Sequence, residues 1–530
     1  MTTVTAPGRG YPERSRVRAP DWALAIPERV WVSGFLVLLV GASVYLRTRD
    51  VGGQFWMDEG LAVGISSHPL SAIPGVLRHD GSPPLYYVLL HFWMSAFGST
   101  ETATHWLSLL FGLLTIPIGM WAGWSLFGRR IGMMAAVLFA FNAFITVYTQ
   151  ETRMYSLMVA LGLLATIGFL QGFVNRRRRF VVLFAVTQAL MLYTHSWGIF
   201  FAGGSALAVL LVYRMSDQRD KLLRDAVLAF LAAGLLYVPW LPTFLYQASH
   251  TAAPWDTSPH FGAPIQLSRN VLGGDRVTAA LILAAVIGLA GLMVPSRRRT
   301  PEAKLMWALI AIPTATLIVG WGASQITPAW VPRYFAPIVP ATLLLIALGL
   351  ARAGLIGLVA LLLSVAFVLN QSSYSPQFKS DMREIGGELG ARLHPGDLVI
   401  VGQPEQTPLA YYYMPAGLRF ANTAGGAVRD PAYMNWIGAL ARLQDTNERS
   451  VMQPLIDSLR PGQQLLYIRP MTEGAQNWQA PWTSLVRRRS AQLGAIIAAD
   501  RQLVPEAWSP HVYQGSCCVA NSAVLYRKLS

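Results

Sequence analysis

The sequence predicts an all-α polytopic membrane domain of about eleven transmembrane helices, followed by a small α/β domain. Three observations predict it. Only 13% of the 530 residues are charged and 53% are hydrophobic, whereas a soluble globular chain carries about 25% charged residues. Apolar runs of about 20 residues, the length that crosses a bilayer, recur between residues 30 and 370. Arginines cluster in alternate gaps between those runs, as the positive-inside rule expects of cytoplasmic loops. The clustering also accounts for the net charge of +15, from 42 basic and 27 acidic residues, so no nucleic-acid partner is expected. The chain has two cysteines, too few for a disulfide scaffold or a cysteine-rich metal site.

The first span, 30–47, follows a hydrophilic lead, 1–29, that carries Arg9, Arg14, Arg16 and Arg18. That lead is long for a secretory signal and lacks a small-residue cleavage site, so a retained anchor with a cytoplasmic N-terminus is expected. Further spans are expected at 104–127, 131–149, 154–174, 181–196, 198–213, 226–246, 277–295, 305–323, 335–351 and 354–370. The inner loops then hold Arg129 and Arg130, Arg176 to Arg179, Arg219 with Lys221 and Arg224, Arg297 to Arg299 with Lys304, and Arg352. An odd number of spans places the C-terminal segment, 371–530, outside the cell. A multi-pass protein of the bacterial plasma membrane is expected.

Three further segments fall outside. The loop 48–103 holds two amphipathic stretches, 58–79 and 83–97, which suit helices lying in the interface plane. The loop 247–276 carries Trp255, Asp256 and His260, which could touch an acceptor. The tail has a helix-like stretch near 381–393 and strand-like runs at 398–401, 465–468 and 523–526, which suggest the α/β domain. Its adjacent Cys517 and Cys518 could form a strained vicinal disulfide, remain as thiols or pair between molecules.

Ionisable residues gather at the outer ends of the spans. Trp56-Met57-Asp58-Glu59-Gly60 follows the first span, and Asp80 precedes Gly81-Ser82-Pro83-Pro84-Leu85-Tyr86-Tyr87. Gln150-Glu151-Thr152-Arg153-Met154-Tyr155 joins the third and fourth spans, Tyr193-Thr194-His195 lies between the fifth and sixth, and Arg333-Tyr334 precedes the tenth. Charges close to hydrocarbon are costly and tend to line a polar cavity. Carboxylates that can act as bases, beside arginines that can hold phosphate, describe group transfer from a lipid-linked phosphate.

These motifs, in this order over about 50–345, resemble bacterial membrane glycosyltransferases of the GT-C fold. The nearest branch is that of the protein O-mannosyltransferases and aminoarabinose transferases, similar to glycosyltransferase family 39. The resemblance implies a polyprenyl-phosphate sugar donor, with mannose the default and arabinose or aminoarabinose as alternatives. The acceptor would be a glycan, a glycolipid or a protein. A first-loop acidic residue is the family's usual catalytic base, a role that maps onto Asp58 with Glu59 as its neighbour. One departure stands out: related enzymes often carry Lys or His before Pro-Pro-Leu, where this chain has Ser82.

Each candidate also has a structural reading. Asp58 and Glu59 could be solvated loop residues; adjacent carboxylates usually point apart, which makes Asp58 the base and Glu59 an orienter. Asp80 faces the same cavity or caps the helix that starts at Pro83-Pro84. Glu151 sits where a helix dipole favours negative charge, and Arg153 needs an anionic partner, either Glu151 or a lipid phosphate. His195 is a substrate contact or a structural donor. Arg333 lies outside against the charge rule, which favours phosphate binding. Tyr86, Tyr87 and Tyr155 suit the membrane interface, although their hydroxyls can also hold sugar or phosphate; Tyr334 is a further candidate contact.

No motif calls for a cofactor. The chain lacks G-x-x-x-x-G-K, H-E-x-x-H and paired C-x-x-C. A divalent cation could sit on Asp58 or Glu59 with Asp80, without dedicated ligand spacing. The rival class is a transporter or flippase of lipid-linked sugars, which would be expected to show internal repeats and mid-membrane polar breaks. Clustering of the charges at one face favours the enzyme.

Overall fold

The computed structural model describes residues 27–251, 253–297, 300–370, 379–471, 480–509 and 520–529. Cys517 and Cys518, and Arg9, Arg14, Arg16 and Arg18 of the N-terminal lead, lie outside the described residues. The described residues between 27 and 370 form helices joined by loops, with no strand among them. Helix α1 (Glu28–Arg47) is the first expected span. After it come α2 (Met57–Ser66), α3 (Ile73–Asp80) and α4 (Leu85–Phe97), and then the 27-residue α5 (Glu101–Phe127). The bundle continues with α6 (Arg129–Phe141), α7 (Ala143–Tyr148), α8 (Tyr155–Phe169), α9 (Arg178–Thr194) and α10 (Gly198–Met215). It ends with α11 (Arg219–Tyr237), α12 (Leu241–His250), α13 (Ala263–Leu272), α14 (Asp275–Met293), α15 (Pro301–Ile326), α16 (Val339–Arg352) and α17 (Leu355–Asn370).

A helix occupies each of the eleven expected spans. Among the described residues, seven helical segments are long and apolar enough to cross a membrane, and α11 with α12, bent by 78°, makes an eighth. The other three are filled by α6 with α7, by α9 and by α17. Exposed apolar side chains such as Leu231, Leu235, Leu283 and Leu363 cover the outside of these helices, as lipid contact requires.

Two breaks have local causes. Asn142 adopts an extended conformation between α6 and α7, and its side chain accepts from the Ile145 amide at 3.0 Å. The last carbonyls of α6, at Phe139 and Ala140, accept from the buried Arg47 guanidinium at 2.8 and 3.3 Å. A break in the apolar interior thus has polar partners for its freed backbone groups. The α11–α12 bend falls at Val238-Pro239-Trp240, where proline lacks the N–H that a continuous helix needs.

The arginine-rich loops meet at one end of the bundle. Arg129 pairs with Glu28 at 3.1 Å, Arg352 with Glu302 at 2.9 Å, Lys304 with Asp217 at 3.5 Å and Arg176 with Asp225 at 2.9 Å. Arg130 donates to the Gly354 carbonyl.

Beyond residue 379 the chain forms an α/β unit around a six-stranded sheet. Its strands are β1 (Leu398–Val401), β2 (Arg419–Asn422), β3 (Gly426–Val428), β4 (Gln464–Pro470), β5 (Leu503–Trp508) and β6 (Asn521–Lys528), in the order β3-β2-β1-β4-β6-β5. The centre, β2-β1-β4, is parallel, and the remaining pairings are antiparallel. Helices α18 (Met382–Glu388) and α19 (Thr407–Tyr413) pack on one face. The other face carries α21 (Glu448–Asp457) and α22 (Pro481–Ala499), with α20 (Ala439–Asp445) against α22. Because both faces are covered, β1 is apolar throughout, and all four of its residues are buried.

The stretch 58–79 departs from expectation. It is two helices, α2 and α3, separated by residues 67–72, rather than one interfacial helix. Residues Glu59 to Ser66 of α2 are all buried. Phe55 and Val63 belong to the same apolar core as Val399, Leu409 and Ile468 of the α/β unit. The first loop is therefore wedged between the bundle and the α/β unit.

Candidate active site

Asp58 lies in the first turn of α2, and the adjacent Glu59 points the other way. The Glu59 carboxylate is fully buried. It accepts from His105 Nε2 at 2.6 Å, the Thr152 amide at 2.8 Å and the Trp56 amide at 3.2 Å, and it pairs with Lys379 at 3.0 Å. Burial alone would raise its pKa. The Lys379 and His105 charges and these hydrogen bonds outweigh that and lower it to about 2. Glu59 thus fixes the start of α2 against α5, the Thr152 turn and the α/β unit, and it does not reach the cavity beside Asp58.

That cavity measures about 770 Å³. Asp58 Oδ2 accepts from Arg333 Nη2 at 3.3 Å, and Arg153 Nη2 stands 3.9 Å from the same oxygen. Arg153 also donates to the Asp58 carbonyl at 3.2 Å and to the Tyr87 hydroxyl at 3.4 Å. Arg333 Nε donates to the Tyr155 hydroxyl at 2.9 Å, and its guanidinium sits 5.3 Å from the Trp56 ring centre. Both arginines are aimed at Asp58 by tyrosine hydroxyls. A tyrosine donates or accepts without adding charge at neutral pH, so the positive charge is not cancelled. Tyr334 packs against His195 with ring centres 4.6 Å apart and planes tilted by 48°. His195 Nδ1 accepts from the Trp197 amide at 3.1 Å, so this nitrogen orients the ring.

Asp80 closes α3 and lines the same cavity. Burial pushes its carboxyl up to about 6, against a hydrogen bond from Ser82 and the charge of Arg153. Gly81 follows with φ of +100°, the left-handed cap that ends α3 and which glycine adopts most readily. Gln247 of α12 donates to the carbonyls of Leu77 and Ser82 at 2.8 and 3.2 Å and holds this turn in place. Asp80 caps no helix start; it sits at a C-terminus, so the capping reading of the sequence gives way to a cavity-facing carboxyl.

Glu151 stands apart. Burial raises its carboxyl to about 7, although Lys379 pulls it down, and it is not among the residues that line the cavity. Arg153 therefore takes Asp58, not Glu151, as its carboxylate partner. Of the expected residues, the cavity brings together Asp58, Asp80, Arg153, His195, Arg333 and Tyr334. Tyr155 stands behind Arg333. Glu59 and Glu151 lie to the side.

A cation bridging Asp58 or Glu59 with Asp80 has no assembled ligand set. Glu59 turns away, and two guanidiniums already face Asp58. Among the described residues no group of three or more His, Cys, Asp or Glu side chains converges.

Sequence reasoning missed the partners of Glu59 and the contribution of the α/β unit. His105 and Lys379 sit 46 and 320 residues from Glu59, and no local motif marks them. Gln403, Glu405, Trp436 and Thr483, all from the α/β unit, line the cavity as well.

No family model matches the chain, and no curated protein matches it in sequence. Solved structures do. The apo structure of ArnT from Cupriavidus metallidurans superposes with a TM-score of 0.60 at 14% identity, covering 94% of this chain and 98% of that one. ArnT bound to undecaprenyl phosphate gives 0.58 over the same coverage. The archaeal oligosaccharyltransferase AglB from Archaeoglobus fulgidus, in complex with an inhibitory peptide and a dolichol-phosphate, gives 0.55 at 13% identity, covering 92% of this chain and 74% of that one. The arabinofuranosyltransferase AftD from Mycobacteria gives 0.54 at 13% identity, covering 96% of this chain and 40% of that one. The chain has the fold of the GT-C membrane glycosyltransferases.

Proposed function

We propose that this protein is an integral-membrane glycosyltransferase that moves a sugar from a polyprenyl-phosphate donor to an acceptor hydroxyl. The observation that carries the reading is Asp58 between Arg153 and Arg333 at the floor of a 770 Å³ cavity. The two guanidiniums can pair with the single negative charge of a sugar phosphodiester by charge-assisted hydrogen bonds. Cleavage of the sugar–phosphate bond puts a second negative charge on the leaving phosphate, and guanidiniums already oriented stabilise it as it forms. Asp58 takes the proton of the acceptor hydroxyl as its oxygen attacks the anomeric carbon. One base suffices, since the phosphate leaves without protonation, and attack opposite the phosphate inverts the anomeric centre. Mannose is the donor sugar favoured by the motif resemblance.

ArnT with undecaprenyl phosphate and AglB with dolichol-phosphate support a lipid-phosphate donor here too. Apolar cavity residues on the membrane helices, Ile199 and Phe200 of α10 with Ala323 and Ile326 of α15, form the side along which a prenyl chain enters. The α/β unit and the Asp58 end face outside the cell, in a bacterial plasma membrane.

The test is transfer of radiolabelled sugar from polyprenyl-phosphate mannose, in detergent, to an acceptor extract from a deletion strain. Asp58→Asn should lower the rate about 10²–10⁴-fold, the usual contribution of a general base, while the folded yield is kept. Activity within about threefold of wild type would move the base role to Asp80. Movement of intact donor across vesicles without bond cleavage would establish the flippase instead.

A further inference from the structure

The α/β unit supplies one wall of the cavity, and that wall has its own chemistry. Glu405, next to the start of α19, accepts at Oε1 from Gln403 Nε2 and from Trp482 Nε1, each at 2.9 Å. Its other oxygen, Oε2, is buried and meets no hydrogen-bond donor among the described residues. Burial raises the Glu405 carboxyl, and the negative charge of Asp58 raises it further, so the two carboxyls sense each other across the cavity. Beside Glu405 stands a chain of tryptophans. Trp255 and Trp436 have ring centres 4.5 Å apart, and Trp436 and Trp482 have theirs 5.1 Å apart; the first two line the cavity.

Backbone hydrogen bonds fix this wall to the membrane loops. The Trp436 amide donates to the His79 carbonyl at 2.9 Å, one residue before Asp80. The Trp482 amide donates to the Pro254 carbonyl at 3.2 Å, one residue before Trp255. The wall and the floor of the cavity are therefore held in register.

We infer that Trp255, Trp436, Gln403 and Glu405 form the acceptor subsite, and that the acceptor is a carbohydrate. The inference rests on the glycosyltransferase reading and names its second substrate. A sugar ring presents C–H bonds on one face and hydroxyls on its rim. The faces of the tryptophan rings carry partial negative charge and attract such C–H groups. Glu405 Oε2 is an acceptor without a donor, the partner that a sugar hydroxyl supplies. A protein hydroxyl acceptor would instead present an extended backbone with one short side chain, which leaves the tryptophan faces uncovered. The donor phosphate has its counter-charges at Arg153 and Arg333, on the membrane side, so the wall opposite belongs to the second substrate.

The experiment uses the full-length protein in detergent with polyprenyl-phosphate [¹⁴C]mannose. The deletion-strain envelope is divided into a delipidated protein fraction, a water-soluble glycan fraction and a solvent-extracted glycolipid fraction. Wild type should label one of the two carbohydrate fractions, and which of them identifies a free glycan or a glycolipid. Glu405→Gln should raise the acceptor KM about tenfold more than the donor KM, as loss of a contact to a charged group implies, and Trp255→Ala should also raise it selectively, through loss of the ring face. Trp255→Phe should recover most of the Trp255→Ala loss. Label confined to the protein fraction overturns the inference, and so do donor and acceptor KM values that rise together. If wild type releases sugar neither to any fraction nor to water from polyprenyl-phosphate mannose, arabinose or aminoarabinose, the glycosyltransferase reading itself has failed.

Discussion

At the scale of single residues, the arginines separate binding from chemistry. Arg333 contacts Asp58, Tyr155 and the Trp56 ring at once, and it uses both the planarity and the fork of the guanidinium. If it holds the donor phosphate, Arg333→Ala should weaken donor binding and slow the chemical step together, since phosphate charge grows toward the transition state. A charge-assisted hydrogen bond contributes about 1.5–3 kcal/mol, so steady-state kinetics should show a loss of roughly ten- to hundredfold. Arg333→Lys should recover only part, because an ammonium cannot donate to Tyr155 and face Trp56 with one plane. Unchanged donor KM and turnover in Arg333→Ala would leave Arg153 as the phosphate ligand. The sequence located this chemistry because both arginines stand at span ends where the charge rule disfavours them. It assigned Asp58 as base and Glu59 as orienter from adjacency alone, without the groups that hold Glu59 in place. That division depends on His105 and Lys379, which are close to Glu59 only once the chain has folded.

At the scale of elements, α2 is the part that carries Asp58, and glycine sets its position. A Cβ on Gly64 would stand 1.9 Å from the Ala432 carbonyl oxygen, and one on Gly60 would stand 2.7 Å from Leu409 Cα. The helix lies against the α/β backbone at these points, and His68 pairs with Asp430 at 2.9 Å just beyond them. Gly64→Ala should therefore push α2 or the 430–434 segment aside, at a cost of about 1–3 kcal/mol for overpacking, and displace Asp58 as it does so. Gly75→Ala is the control on the next helix, where a Cβ meets nothing within 4 Å. It should be neutral or stabilising by about 0.5–1 kcal/mol. Thermal melts in detergent and turnover of the two variants check this; equal melting and equal activity would refute a tight α2 contact. The spans were legible because lipid contact demands long apolar runs, and β1 and β4 because burial on both faces demands short ones. Strands β2, β3 and β5 were not, since Arg419–Asn422, Gly426–Val428 and Leu503–Trp508 are brief, edge-like or polar. The split between α2 and α3 was also hidden, because the apolar spacing runs on across residues 67–72 while the backbone that α2 packs against, at Leu409 and Ala432, belongs to the distant α/β unit.

At the scale of the whole molecule, charge and core together fix which end does the chemistry. The arginine loops converge at one end of the bundle through the pairs of Arg129, Arg352, Lys304 and Arg176. Asp58, Arg153, His195 and Arg333 converge on a cavity that the α/β unit closes. Because Phe55 and Val63 are buried in the α/β core, that unit cannot leave without exposing the helix that carries Asp58. An oriented membrane protein with a basic cytoplasmic end should thus keep both the cavity and the sheet outside. Ser296 lies beside the basic loop after α14, and Gln502 on the α/β unit is exposed, as is Ser296. In a background lacking Cys517 and Cys518, Gln502→Cys should react with an impermeant maleimide in intact spheroplasts. Ser296→Cys should react only after permeabilisation. The reverse pattern would put the cavity in the cytoplasm, where an extracytoplasmic acceptor could not reach it. Labelling of both positions in intact cells would mean that the arginine loops do not share the side on which the pairing among them places them.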